Sequence, residues 1–424
     1  MKSKIDETRL PNGLVVLTDR MPGVRSVTLG FFFRVGSRHE PTELNGISHF
    51  IEHTVFKGTA KRSALDIAIE QDRLGGNLDA FTTHEETGFA IKVIDDQLPQ
   101  AFDLIADMLV NPRFDDADLE SEQRVIIEEM KMIEDSPEEY LGEIFSEAFF
   151  GEHPLGLSIA GTPKTVRSFN HEVTRKYHEE NYNAGNLVIA AAGNVEHEQI
   201  VELSNNAFTT AAEPAFAGEG ARVPGMAAPI IVKHNKNLEQ AHLIIATPLV
   251  SATDERRYAA DLLANIIGGG TSSRLWQKVR EERGLAYSVG ASASMYQDCG
   301  LFSIFAGTSP EQVEEVVDLS IAEMRSVVAD GVTEDELDLA KQQSRASILL
   351  SLEDSASRAA ALAQSELVYG RQIPVEETLE KIDAVTVDDC QAIATEFFKT
   401  ENVAFAALGN LKSLKIDRDK LFQF

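Results

Sequence analysis

Residues 46–59 read GISHFIEHTVFKGT, and three side chains within that run decide how the rest of the sequence is understood. His49 and His53 are four residues apart, which on a helix places both imidazoles on one face about one turn from each other. Two nitrogens so placed can reach one zinc ion at roughly 2.0–2.1 Å. Glu52 borders the same face without having to bind the metal. A carboxylate there can take the proton of a water that the ion acidifies to a pKa of about 7. Gly46 and Ser48 can start the helix. The bare motif has only three fixed positions, so taken alone it is also compatible with a surface coincidence.

A catalytic zinc takes three protein ligands and keeps one position open. The third ligand has to come from elsewhere in the chain. The periodicity of 115–133 predicts a helix, ended before Pro137, and this helix offers Glu129 beside its neighbour Glu128. Glu122 lies two turns back on the same face. It is suited to accept a hydrogen bond from a ligand histidine and so fix its tautomer.

Outward from this region, the 424 residues are too many for one ordinary core and suit two domains of roughly 200 residues each. Near the midpoint, 209–229 is rich in Ala, Gly and Pro and has no period, which predicts an N-terminal domain over 1–210, a linker over 211–229 and a C-terminal domain over 230–424. The halves resemble each other. Strands open each of them at 27–35 and 230–248, and apolar strands close them at 186–194 (NLVIAAAGN) and 402–410 (NVAFAALGN). An internal duplication is the simplest reading, although the second half has no His-x-x-Glu-His. Ser63 can cap a helix that Gly75-Gly76 stops, and 311–328 and 334–352 read as amphipathic helices with acidic first turns. Irregular alternation of strands and helices favours an α+β architecture over a doubly wound sheet.

Composition narrows the classes further. With 39 basic against 68 acidic residues the net charge is −29, which disfavours nucleic acid and anionic membrane as partners and permits basic peptides. Cys299 and Cys390 are too few for a disulfide framework or a thiolate zinc site. No signal-peptide pattern and no apolar run of transmembrane length is visible, so a cytoplasmic location is expected. The Gly268–Gly270 run lacks the lysine of a phosphate-binding loop and reads as a tight turn before a helix.

The run His49–Thr59 (HFIEHTVFKGT) resembles the signature of the pitrilysin family of zinc peptidases, which includes insulin-degrading enzyme and the mitochondrial processing peptidase. The chain is most similar to its two-domain bacterial members. The resemblance extends to 75–87 (GGNLDAFTTHEET), 122–135 (EQRVIIEEMKMIED), 153–156 (HPLG) and 272–287 (SSRLWQKVREERGLAY), in the right order over most of the chain. It implies zinc on His49, His53 and Glu129, the separation from His53 selecting Glu129 over Glu128. It implies Glu52 as general base and Glu122 as the assisting acid. Arg280 and Tyr287 fall on the family's Arg/Tyr pair that reaches the substrate. The fold implied is two homologous α+β domains, each a mostly antiparallel sheet with helices on one face. An edge strand carrying Asn77, Ala80, Phe81 and Thr82 would hold an extended peptide by backbone pairing; Asp79 departs from the usual Asn there. The activity implied is zinc-dependent hydrolysis of unfolded peptides inside a chamber formed by a homodimer, or by a heterodimer with a related metal-free subunit. A subunit that binds peptides without cutting them, or cuts only with a partner, is the alternative class.

Overall fold

The computed structural model describes residues 5–210, 225–412, 414–421 and 423. Of the stretch expected as the linker, 211–224 lies outside the described residues. The chain forms two compact units. The first comprises Met1–Lys131, Leu157–Gly220 and Leu349–Gln372, and the second Met132–Gly156, Ala221–Ile348 and Ile373–Phe424. Two segments thus depart from the division expected at 211–229. Residues 132–156 join the second unit, and 349–372 join the first.

The first unit is built on six strands, β1 (Ile5–Arg9), β2 (Val15–Arg20), β3 (Ser26–Phe33), β4 (Leu78–Thr82), β5 (Thr87–Ile94) and β6 (Leu187–Gly193). They lie in the order β1-β2-β6-β3-β5-β4, with β2 and β6 parallel and the other pairs antiparallel. The second unit has β7 (Ile230–His234), β8 (Ala241–Leu249), β9 (Ala286–Met295), β10 (Gly300–Thr308) and β11 (Ala404–Gly409). Its order β7-β11-β8-β10-β9, with β7 and β11 parallel, repeats that of the first sheet from β2 onward. The similar segments 186–194 and 402–410 therefore occupy the same place in each sheet, as β6 and β11. Both units are α+β.

Strand alternation sends side chains to opposite faces. On β6, Leu187, Ile189 and Ala191 enter the main core of the first unit, together with Val27, Leu29, Phe31 and Phe33 of β3. Val188 and Ala190 point the other way, with Val15, Leu17 and Phe32, onto Leu362, Ala363 and Leu367 of the helix Ser355–Tyr369. The second sheet is covered likewise. Ala246, Ala404, Ala406 and Leu408 meet Leu141, Phe145 and Phe149 of the helix Pro137–Phe150. The expectation of helices on one face only is corrected here. Central strands that are apolar without interruption need burial on both sides, and in each unit the far face is closed by one helix taken from the other half of the sequence. Ion pairs fix the helix Ser355–Tyr369 in the first unit: Glu366 is buried and accepts from Arg9 Nη2 at 2.7 Å and Arg34 Nη2 at 2.8 Å.

Four helices frame the region around residues 46–59: α1 (Ile47–Thr54), α2 (Ala64–Leu74), α3 (Leu98–Val110) and α4 (Asp116–Asp135). As the sequence predicts, Ser63 caps α2, accepting from Asp66 N at 3.2 Å, and Gly75 ends it in the left-handed conformation at φ 67°. Ile47, Phe50, Ile51 and Thr54 bury one side of α1. The helix His171–Asn181 packs beside it and contributes buried Tyr177 and His178. Among the described residues no helix is long and apolar enough to cross a membrane.

His178 stacks on Tyr182 with ring centroids 5.5 Å apart and meets Phe114 edge-on at 5.3 Å. Burial pushes its pKa down from 6.5 to about 4. A neutral histidine of this kind gives its full stabilisation above the unfolded pKa of 6.5, and loses it as pH falls through 6.5 toward 4, because the unfolded chain then binds the extra proton. The cost at pH 5 is about 2 kcal/mol. Urea unfolding of wild type and His178→Phe at pH 7 and pH 5 tests this. The stability difference between them should move in favour of the variant by about 2 kcal/mol on going to the lower pH.

Candidate metal centre

The eight residues of α1 turn His49, Glu52 and His53 away from the buried side and toward α4 and β4. The imidazole centroids of His49 and His53 are 4.6 Å apart. Glu129 Oε2 on α4 lies 4.0 Å from His49 Nε2 and 3.6 Å from His53 Nε2. Both separations are too long for a hydrogen bond, whereas ligand atoms around a four-coordinate zinc lie about 3.3 Å apart. One ligand atom from each of the three residues lies within 4.8 Å of the others, the only such group among the described residues. Burial lowers the pKa of His49 to about 4, helped by the neighbouring His53, which leaves its imidazole in the neutral form that binds metal. Two nitrogens and a carboxylate oxygen fit zinc in type and number.

Glu122, two turns before Glu129, is buried and receives His53 Nδ1 at 3.3 Å and Lys57 Nζ at 2.7 Å. Burial would raise its pKa, but these two partners outweigh burial and hold it below the usual carboxylate value. Its ionised form fixes which nitrogen of His53 carries the proton and leaves Nε2 toward Glu129. For His53 itself burial opposes the charged form, but the Glu122 bond and the charges of Glu129 and Glu52 prevail and raise its pKa. Glu52 Oε2 accepts from Thr82 Oγ1 at 2.7 Å, and burial raises the Glu52 pKa in spite of that bond.

Among the described residues β4 pairs with β5 alone and forms the edge of its sheet. Asn77 precedes it and is exposed, Ala80 is partly buried against the core, and Phe81 is 37% exposed. Thr82, read from the sequence as a peptide contact, has its hydroxyl committed to Glu52. Arg280 and Tyr287 lie in the second unit and come together there. Arg280 Nη1 donates to the Tyr287 carbonyl at 2.6 Å, and its guanidinium lies 4.1 Å from the Trp276 ring centroid and 4.8 Å from that of Tyr287. The segment Trp276–Glu281 is a π-helix rather than the ordinary helix expected, and Tyr287 on β9 is 77% exposed. Sequence reasoning passed over Lys57, although it stands one turn after His53 in the same motif. It also passed over Glu40, whose carboxyl reaches the start of α1 from outside the motif.

The insulinase (peptidase family M16) model matches residues 15–163, and the peptidase M16 inactive-domain model matches 168–344. An uncharacterized zinc protease of Streptomyces coelicolor is 39% identical over 421 residues, covering 98% of this chain and 91% of its own. One from Bacillus subtilis is 36% identical over 405 residues, with 95% and 98% coverage. A peptidase M16 inactive domain from Pseudomonas fluorescens superposes with a TM-score of 0.90 at 21% identity, covering 97% of this chain and 99% of that one. A protease from Helicobacter pylori gives 0.86 at 22%, with 96% and 99% coverage. The fold is that of a two-unit α+β protein, and the relatives named zinc proteases put the chain in the metallopeptidase class. The chain belongs to the insulinase family of peptidases, M16.

Replacing Glu122 with glutamine removes the charge that orients His53. Zinc affinity, measured by competition with a chromophoric chelator, should weaken about 10–100-fold while the circular dichroism spectrum stays that of wild type.

Proposed function

We propose that the protein is a zinc-dependent endopeptidase acting on unfolded peptides. The observation that supports this best is the convergence of His49, His53 and Glu129 on one point, with Glu52 beside them and Glu122 behind. His49, His53 and Glu129 would hold the ion. Bound there, zinc supplies Lewis acidity, which acidifies water and polarises the scissile carbonyl.

The chain's own groups do the rest. Glu52 takes a proton from the attacking water and returns it to the leaving amine. Thr82 holds Oε2 of that carboxylate, which leaves Oε1 as the atom that carries the proton. Burial raises the affinity of Glu52 for that proton, as a base that must later act as an acid requires. The open edge of β4 accepts an extended peptide by backbone pairing, a mode tolerant of sequence. Tyr287, exposed and stacked on Arg280, offers its hydroxyl to the oxyanion or the adjacent substrate backbone. Two copies of the chain would close a chamber in which the Arg280–Tyr287 pair of each faces the metal of the other. A metal-free partner chain is the other way to complete it.

Glu52→Gln should keep a full complement of zinc by elemental analysis, because it leaves the three ligands in place. It should lose about 10²–10⁴-fold in kcat on a quenched-fluorescence peptide, and a near wild-type rate would remove Glu52 as the base. Subunit sharing has a separate test. Mixing Glu52→Gln with Tyr287→Phe chains should restore part of the activity, since one site of each mixed dimer then carries neither lesion. No recovery in a demonstrated mixed dimer excludes a shared site.

A further inference from the structure

The N-terminus of α1 raises a question that the metal ligands do not answer. A helix begins with unsatisfied backbone N–H groups, which a side chain at the capping position usually takes up. Here that position is Gly46, in the left-handed conformation at φ 96°, with no side chain to give. The acceptor is instead Glu40, six residues earlier and only 5% exposed. Its Oε2 receives Gly46 N at 2.7 Å and Asn45 Nδ2 at 3.3 Å, and its Oε1 receives Ser48 N at 2.8 Å. Both carboxyl oxygens are thus directed at the start of the helix that carries His49, Glu52 and His53.

Glu40 is held from the other side too. It follows the turn Ser37–His39, whose backbone is tied to the β4–β5 hairpin: Ser37 N donates to Thr83 O at 3.0 Å and Arg38 N to His84 O at 2.9 Å. Thr83 directly follows Thr82, the residue that holds Glu52. Gly46 is boxed in as well, since a Cβ there would lie 2.6 Å from Ala160 O and 2.8 Å from Gly161 Cα. A buried carboxyl is costly, and burial pushes that of Glu40 up to about 7 against its hydrogen bonds. Ordinary capping does not need so buried a group, because a serine or aspartate on the helix itself would serve.

We infer that Glu40 is a positioning residue for the metal centre, locking the His49/Glu52/His53 helix to the edge-strand hairpin so that metal ligands and general base keep one register. This rests on the zinc assignment above. Because α1 has only eight residues, a tilt at its start is carried to His49 within one turn.

The test uses the full chain with Glu40→Ala and Glu40→Gln, and Thr386→Ala as a control. Thr386 caps the helix Val387–Phe397 in the second unit, which bears no proposed ligand. Read-outs are the zinc dissociation constant by chelator competition, kcat and KM separately, and the melting temperature. Glu40→Ala should bind zinc about tenfold or more weakly and lose kcat by a similar factor at unchanged KM. Glu40→Gln, which keeps an acceptor oxygen, should recover part of both and decides the matter if the alanine variant does not fold. Thr386→Ala should lower the melting temperature only. Wild-type zinc affinity and kcat in a folded Glu40 variant would overturn the inference, as would equal losses in Thr386→Ala. Failure of the wild-type chain to bind zinc at all would overturn the metal assignment and this inference with it.

Discussion

A helix of little more than two turns carries two imidazoles that meet the Glu129 carboxylate of α4 around a single point. Much of the first unit can be understood as meeting that constraint. Phe50 and Ile51 anchor the buried side of α1. Tyr182 OH reaches the Ser48 carbonyl at 3.4 Å, and Glu40 takes up the free N–H groups at the start. Each of these contacts removes one way for the helix to roll or slide. A metal site needs that more than it needs strong bonds, since misplacement by a fraction of an ångström costs affinity and rate.

Electrostatics around α1 follow from the same economy. Glu52, Glu122 and Glu129 all lie close to His53, and Lys57 is the basic side chain paired with this group. Two carboxylates have distinct partners: Glu122 has Lys57 and His53, and Glu52 has Thr82. Glu129 approaches the two imidazoles without making a hydrogen bond to either. A divalent cation at that point would offset the crowded negative charge and turn three groups that merely face each other into a bonded set.

The sequence disclosed this region unevenly. Spacing of four between His49 and His53 is a geometric statement about a helix, so the facing histidine pair was legible without any fold. Ser63, Gly75 and the acidic first turns of 311–328 and 334–352 are local signals of the same kind, and the structure places helix ends close to them. Glu129 could be singled out from Glu128 only by likeness to a family, because which face of α4 meets α1 is decided by tertiary packing. Glu40 was invisible for a related reason: its carboxyl acts across a turn on a helix it does not belong to, and no periodicity records that. The uninterrupted apolar run of 187–193 did carry a signal of burial on both faces. What it could not say is that the covering helix would come from residues 355–369.

That borrowed helix bears on how the chain comes to be folded as it is made. Synthesis proceeds from the N-terminus, and domains tend to fold as they emerge. The strands β1 to β6 are all complete by residue 193, yet the far side of their sheet waits for Leu362, Ala363 and Leu367. Until then Val15, Leu17, Phe32 and Val188 form an oily surface on an otherwise finished sheet. A polypeptide cut at its midpoint would be left permanently in that condition, its first half carrying a face that invites aggregation.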